Sequence, residues 1–271
     1  MTIRYHLDNL LQLLADTVLA VIPRPEPAVS TLVNCKIVSH RGEHDNKSVK
    51  ENTLAAFDRV LNQGIWGIEL DIRWTKDLHP VVIHDPDCRR VFSSALKVNA
   101  VNLDELQSSI PDIPSLDQII QRYGKKIHLM IEIKEEKLID PEYQQVRLKA
   151  LFSSLVPGAD FHILALSTDI FELVDFLPGR ALLPVAEYNF REISKKALGN
   201  NYAGISGQYL LISGNTIRKH GRNNQKTGTG FVRSRNCFYR ELNRGVEWIF
   251  TNHALKLHSI QQELLNQFNR R

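Results

Sequence analysis

The chain has 271 residues, 43% of them hydrophobic and 24% charged, which excludes a disordered chain and supplies enough apolar material for one large core. A net charge of +4 and a pI near 8.9 suit a small phosphate-bearing substrate, but fall short of the basic footprint of a nucleic-acid-binding protein. Cys35, Cys88 and Cys237 are odd in number and form no C-x-x-C pair, which argues against a disulfide framework or zinc site and for a reducing, cytoplasmic compartment.

At the N-terminus, Leu7, Leu10, Leu11, Leu14, Val18, Val21 and Ile22 follow helical spacing, with Asp8, Gln12 and Asp16 on the other side. The two aspartates argue against an export signal, and the apolar run is too short to span a bilayer. The pattern predicts a helix packed on the body of the protein. A membrane-surface or dimer helix is the alternative, although the polar face lacks the basic residues that anionic lipid attracts. Pro23, Pro25 and Pro27 end the helix. Residues 1–30 therefore read as helix and connector, and residues 31–271 as one further domain.

From Lys36 onward strand-like and helix-like segments alternate. Strands are predicted at 36–39, 65–71, 80–84, 127–133, 161–166, 181–185, 203–206, 230–232 and 247–250. Helices are predicted at 53–63, 116–123, 141–155 and 190–198. Asn223–Gly230 is polar and glycine-rich and reads as a loop. The alternation calls for an α/β fold with a parallel sheet, and nine candidates exceed the eight staves of a barrel by one. The extra segment is expected in the hairpin around 72–80 or as a stub near Ala181. The expected architecture is a (βα)8 TIM-like barrel with the N-terminal helix packed on it. The sequence carries no signal for oligomeric state.

Four segments place ionisable residues at predicted strand ends: Ser39-His40-Arg41-Gly42, Glu69-Leu70-Asp71, His84-Asp85 and Glu132-Ile133-Lys134. In a βα barrel these ends share one face, so segments remote in sequence converge. Glu69 and Asp71, two apart on a strand, project together. Paired carboxylates resist joint ionisation, and a divalent cation removes that penalty. Glu132 adds a third hard oxygen from another strand, a set that suits Mg²⁺ or Ca²⁺, although salt bridges to basic residues would also satisfy the pair. Lys134 either holds a phosphate oxygen or neutralises Glu132. His40 and His84 have the pKa range for the proton transfers that phosphodiester cleavage needs. Arg41 offers a donor fork for phosphate, and Gly42 lets the backbone turn sharply. Among the other histidines only His44 is kept as a candidate substrate contact.

These residues resemble the glycerophosphodiester phosphodiesterase family. The resemblance runs through His40-Arg41-Gly42, Glu51-Asn52-Thr53-Leu54-Ala55-Ala56-Phe57, Gly64, Glu69-Leu70-Asp71, Thr75-Lys76-Asp77 and Val81-Val82-Ile83-His84-Asp85. It continues through Ile113-Pro114-Ser115-Leu116, Ile131-Glu132-Ile133-Lys134 and 245–251, and covers roughly residues 36 to 252. It implies a βα barrel that hydrolyses glycerophosphodiesters to glycerol 3-phosphate and an alcohol with Mg²⁺ or Ca²⁺. By the same resemblance His40 and His84 are the acid/base pair, Glu69, Asp71 and Glu132 the metal ligands, and Arg41 and Lys134 the phosphate contacts. Glu51 matches a family position too, or else supplies negative charge near a helix N-terminus. A phospholipase D-like action on lysophospholipids or sphingolipids through the same site is the alternative activity. A barrel that binds phosphoesters without turning them over is a third reading.

The sequence departs from the family pattern in four places. Lys50 stands where proline is usual, Leu78 replaces the turn glycine, and Asn252 stands where aspartate is common. Arg233-Ser234-Arg235-Asn236 stands where a Trp-Thr-Val-Asn run is common. Arg233 in place of tryptophan removes a ring face and adds charge, which would favour anionic leaving groups if Arg233 meets the substrate rather than solvent.

Overall fold

A computed structural model describes residues 17–270. Most of the expected N-terminal helix lies outside them. Residues 17–21 are helical, Leu19 packs against the main core, and Asn236 Nδ2 donates to Ala20 O at 2.7 Å.

Nine strands follow: β1 (Lys36–His40), β2 (Gly67–Trp74), β3 (Pro80–Val82), β4 (His128–Ile133), β5 (Phe161–Ala165), β6 (Leu182–Ala186), β7 (Gly204–Gln208), β8 (Lys226–Gly230) and β9 (Trp248–Thr251). Eight of them pair in parallel in the order β1-β9-β8-β7-β6-β5-β4-β2, and β1 pairs with β2 to close the barrel. β3 is the surplus strand. It pairs antiparallel with residues 72–74 of β2, outside the closed ladder, so the 72–80 hairpin is the extra segment and the stub near Ala181 belongs to stave β6. The hairpin turn carries Leu78 at φ 59°, a left-handed conformation usually left to glycine.

Alternation sorts the side chains of each stave. On β2, Ile68, Leu70 and Ile72 face the helices and join the main core with Leu129, Ile131 and Ile133 of β4. The barrel interior is filled separately by Val38, Met130, Leu164, Leu183, Trp248 and Phe250. Helices cover the outside, including Leu54–Leu61, capped by Thr53, and Leu116–Tyr123, opened by a Ser115–Gln118 capping box. Cys35, Cys88 and Cys237 are all buried. Burial pushes the Cys35 thiol up to about 12 and the Cys88 thiol to about 11.

The eighth stave corrects the sequence expectation. The strand is Lys226–Gly230 rather than 230–232, and it takes five of the eight residues of the segment expected to be loop. Its composition has a steric cause. A Cβ at Gly228 would stand 2.9 Å from both the Phe250 ring and Ser206 Oγ, so the stave closes against β7 and β9 only with glycine there.

Candidate active site at the C-terminal mouth of the barrel

Strand register assembles the charged cluster. His40 is the register partner of Glu69, and Asp71 is the partner of Glu132. Glu69 and Asp71 therefore share the inward face of β2, above the apolar interior. β2 runs on to Trp74, so the pair marks the end of the closed ladder rather than the end of the strand. His84 is not on a stave. It lies two residues past β3, and the preceding Ile83 N donates to Asp71 O at 2.9 Å, which brings the hairpin arm to the carboxylates.

Arg41 and Gly42 turn the chain sharply after β1, at φ 59° and 80°. A Cβ at Gly42 would stand 2.7 Å from Ala56 Cβ, so the turn requires glycine. The turn aims Arg41 N at Glu69 Oε2, 3.1 Å away. The guanidinium donates from Nη1 to Glu51 Oε1 at 2.9 Å and places Nε 3.1 Å from Asp71 Oδ2. Lys134 Nζ stands 2.6 Å from Asp71 Oδ1 and also pairs with Glu132. His40 Nδ1 is 2.6 Å from Asn252 Oδ1, and His84 Nδ1 is 2.7 Å from Asp85 Oδ1. Each partner oxygen accepts, so each neutral ring carries its proton on Nδ1 and keeps its lone pair on Nε2. His40 Nε2 lies 3.9 Å from Glu69 Oε2.

Burial sets the titration. It pushes His40 down to about 3, assisted by Arg41 and opposed by Asp71 and Asn252. It also lowers His84, against the pull of Asp71. Burial and the Asp71 and Glu132 charges push Glu69 well above the usual carboxylate range. Burial acts on Asp71 in the same direction, yet Lys134 and Arg41 overcome it and hold Asp71 well below that range.

The carboxylates fit a hard divalent cation. One oxygen from each of Glu69, Asp71 and Glu132 lies within 4.8 Å of the others, and Glu69 Oε1 is buried with no hydrogen-bond partner among the described residues. An orphaned, raised carboxylate is costly in a structural salt-bridge cluster and serviceable in a cation site.

All seven residues expected at the core of the site thus lie at this mouth. Glu51 proves more than a helix-end charge. It is buried and bridges Arg41 to Arg90, whose Nη2 donates at 2.6 Å. Arg90 Nε also reaches Asp85 Oδ2 at 2.6 Å, so a brace runs His84–Asp85–Arg90–Glu51–Arg41. Asn52, at φ 58°, donates to Asp71 Oδ2 at 2.8 Å. Sequence reasoning missed the supporting roles of Arg90, Asn52, Asp85 and Asn252, although three of these residues stood inside recognised motifs or departures from them. His44 has both ring nitrogens buried without a hydrogen-bond partner among the described residues. Lys50, in place of proline, donates from Nζ to Asn46 O at 2.8 Å and ties down the loop. Arg233 is exposed, and the aromatic ring at the mouth comes instead from Phe231, edge-on to His40 at 5.6 Å between centroids.

Fold and site together define a βα barrel that gathers histidines, carboxylates and basic side chains at its C-terminal mouth. The chain matches the sequence model of the glycerophosphoryl diester phosphodiesterase family over residues 40–171. It is 35% identical over 127 residues to a glycerophosphodiester phosphodiesterase of Caldanaerobacter subterraneus, covering 42% of this chain and 51% of that protein. It is 31% identical over 147 residues to one of Bacillus altitudinis, covering 46% and 59%. The chain thus spans about half the length of the curated relatives it matches. The glycerophosphodiester phosphodiesterase structure of Thermotoga maritima superposes with a TM-score of 0.71 at 17% identity, covering 83% of this chain and 98% of that one. An Oleispira antarctica phosphodiesterase, solved with the product sn-glycerol-3-phosphate, superposes at 0.70 with 18% identity, covering 83% and 95%. At these identities the superpositions speak to the fold.

Proposed function

We propose that this protein hydrolyses glycerophosphodiesters to glycerol 3-phosphate and an alcohol, with Mg²⁺ or Ca²⁺ held by Glu69, Asp71 and Glu132. The observation that carries the reading is the convergence of two Nδ1-pinned histidines on a carboxylate trio, two of its members buried, flanked by Arg41 and Lys134. The bound cation would supply Lewis-acid polarisation of a phosphate oxygen. Arg41 and Lys134 orient the phosphate and offset negative charge that grows on it as the P–O bond breaks. One imidazole takes a proton at Nε2 from the attacking hydroxyl, and the other, entering the step as imidazolium with a second proton on Nε2, gives that proton to the leaving alkoxide. Proton transfers of this kind typically contribute about 10²–10⁴-fold each. Asn252 and Asp85 keep both rings in the required tautomer.

The test is product analysis on glycerophosphocholine, with Mg²⁺ or Ca²⁺ added after chelator treatment. Glycerol 3-phosphate and choline should appear only with the cation restored. Full activity in excess EDTA sinks the metal assignment, and no phosphomonoester from any glycerophosphodiester sinks the activity.

A further inference from the structure

His84 reaches the mouth on the hairpin arm, where residues 84–86 form a bend rather than strand or helix. The bend matters, because side chains of consecutive residues in an extended chain point to opposite faces, whereas His84 Nδ1 meets Asp85 Oδ1 at 2.7 Å. The peptide unit that joins these two residues is gripped from β2. Arg73 lies one two-residue step beyond Asp71 on the same face of that strand, and its Nε donates to His84 O at 2.7 Å. Its Nη1 donates to Glu136 Oε2 at 3.0 Å, and Glu136 Oε1 accepts from Trp74 N at 3.0 Å. Glu136 lies two residues past Lys134, on the segment that leaves β4. The Arg73 and Glu136 side chains are only 12% and 18% exposed, so their contact forms largely out of water.

We propose that Arg73 is a positioning residue: held by Glu136, it fixes the peptide unit between His84 and Asp85, and so sets the place and tautomer of the His84 ring for proton transfer. This rests on the phosphodiesterase reading of the site, and names a residue that acts there through His84 rather than on the substrate. A guanidinium suits the task because its donors form a rigid planar fork, one arm for the main-chain carbonyl and another for the carboxylate. Asp85 and Arg90 hold His84 from the side-chain end, and Arg73 holds the same residue from the main chain. An ion pair serving stability alone would need the contact with Glu136 but not the one with His84 O. Because Glu136 belongs to the segment that carries Lys134, the arm with the histidine is fastened to β4 as well as to β2. Misplacing a reacting group by about 1 Å can cost about 10²-fold in rate, so a grip on the main chain acts on turnover without touching the phosphate.

The experiment is a double-mutant cycle on glycerophosphocholine with the divalent cation present. In parallel, the ring tautomer is read by nitrogen NMR of labelled histidine, at a pH where the ring is neutral. Arg73→Met, which keeps the apolar stem, should lower kcat by about 10- to 30-fold with KM within about twofold of wild type. Arg73→Lys should recover little, since an ammonium cannot span carbonyl and carboxylate as the fork does. In the His84→Ala background Arg73→Met should cost less than about twofold, because the residue it acts through is gone. The His84 signals, assigned by their absence from His84→Ala, should show the Nδ1–H form in wild type and a mixture of tautomers in Arg73→Met. Should Arg73→Met fail to fold, Glu136→Gln makes the same test, with a drop of about threefold that again vanishes in His84→Ala. Equal losses in the two backgrounds overturn the inference and leave Arg73 a structural ion pair, as does an unchanged His84 tautomer in the folded variant. If wild type turns over no glycerophosphodiester, the underlying activity has failed, and the tautomer comparison still decides whether Arg73 places the ring.

Discussion

The barrel holds a pair of histidines at each end, half-buried at the mouth and buried at the base, and the two pairs are built for opposite purposes. At the base, His128 Nδ1 is 2.9 Å from Ala159 O, and His128 Nε2 is 2.7 Å from His162 Nδ1. Trp66 stacks on His128 at 4.2 Å and Trp248 meets His162 edge-on at 5.1 Å. These rings line a cavity of about 780 Å³ framed by the N-terminal ends of the staves. Burial pushes His128 down to about 4 and His162 to about 3, as deep a shift as at His40. Perturbed titration alone does not separate the ends. What separates them is completeness: the basal nitrogens that the structure pairs bond each other and the backbone, whereas the mouth leaves Glu69 Oε1 and both nitrogens of His44 without partners among the described residues. Buried polar groups left open await something from outside, while a closed pair is packing.

The largest effects that test this contrast belong to the mouth. His40→Ala and His84→Ala should each lower kcat by about 10²-fold or more with melting temperature close to wild type. A folded His84→Ala protein with near-normal turnover would remove that residue from the mechanism. Next comes the brace. Arg90→Ala should cost about tenfold in kcat, because Asp85 and Glu51 lose the fork that holds them. Arg90→Lys should recover little, since an ammonium cannot span two carboxylates as a guanidinium does. Wild-type kinetics in Arg90→Ala would make the brace dispensable.

The same contrast explains what could be read from sequence. The seven residues at the core of the site were legible because strand-end placement and two-residue spacing are local patterns, and barrel closure makes them converge. Their supports were not, because Asn252 meets His40 across 212 positions and Arg90 meets Glu51 across 39. No periodicity records such contacts. Stave β8 failed for another reason. Thr227, Gly228 and Thr229 lack the apolar signature of a buried strand, and at Gly228 crowding by Phe250 and Ser206 favours small size over hydrophobicity. The basal histidines looked companionless in sequence because each pairs with a residue from another stave.

At the base the expected effects fall on stability. His128→Ala should destabilise the fold by on the order of 2 kcal/mol and leave kcat within about twofold of wild type. The pH dependence follows from the depressed values. Below the unfolded value near 6.5 the unfolded chain takes up protons that the buried pair refuses. The stability this gives is therefore full above about 6.5 and is lost as pH falls toward 4. His128→Phe/His162→Leu should show a smaller drop in melting temperature between pH 7 and pH 5 than wild type, and an unchanged drop would place the acid sensitivity elsewhere. The smallest effect concerns Arg233. Arg233→Trp should narrow, by a few-fold, a preference for glycerophosphoinositol or glycerophosphoglycerol over glycerophosphocholine. An unchanged ratio would put the residue off the substrate path.

The three sequestered cysteines make the protein chemically quiet. With Cys35 and Cys88 held as thiols by burial and Cys237 equally enclosed, a maleimide or other thiol-directed dye meets no ready nucleophile on the folded surface. A single Leu211→Cys substitution would thus accept one fluorophore at the rim without removing any native cysteine. Its emission would then report the arrival of a ligand at the mouth directly, independent of turnover.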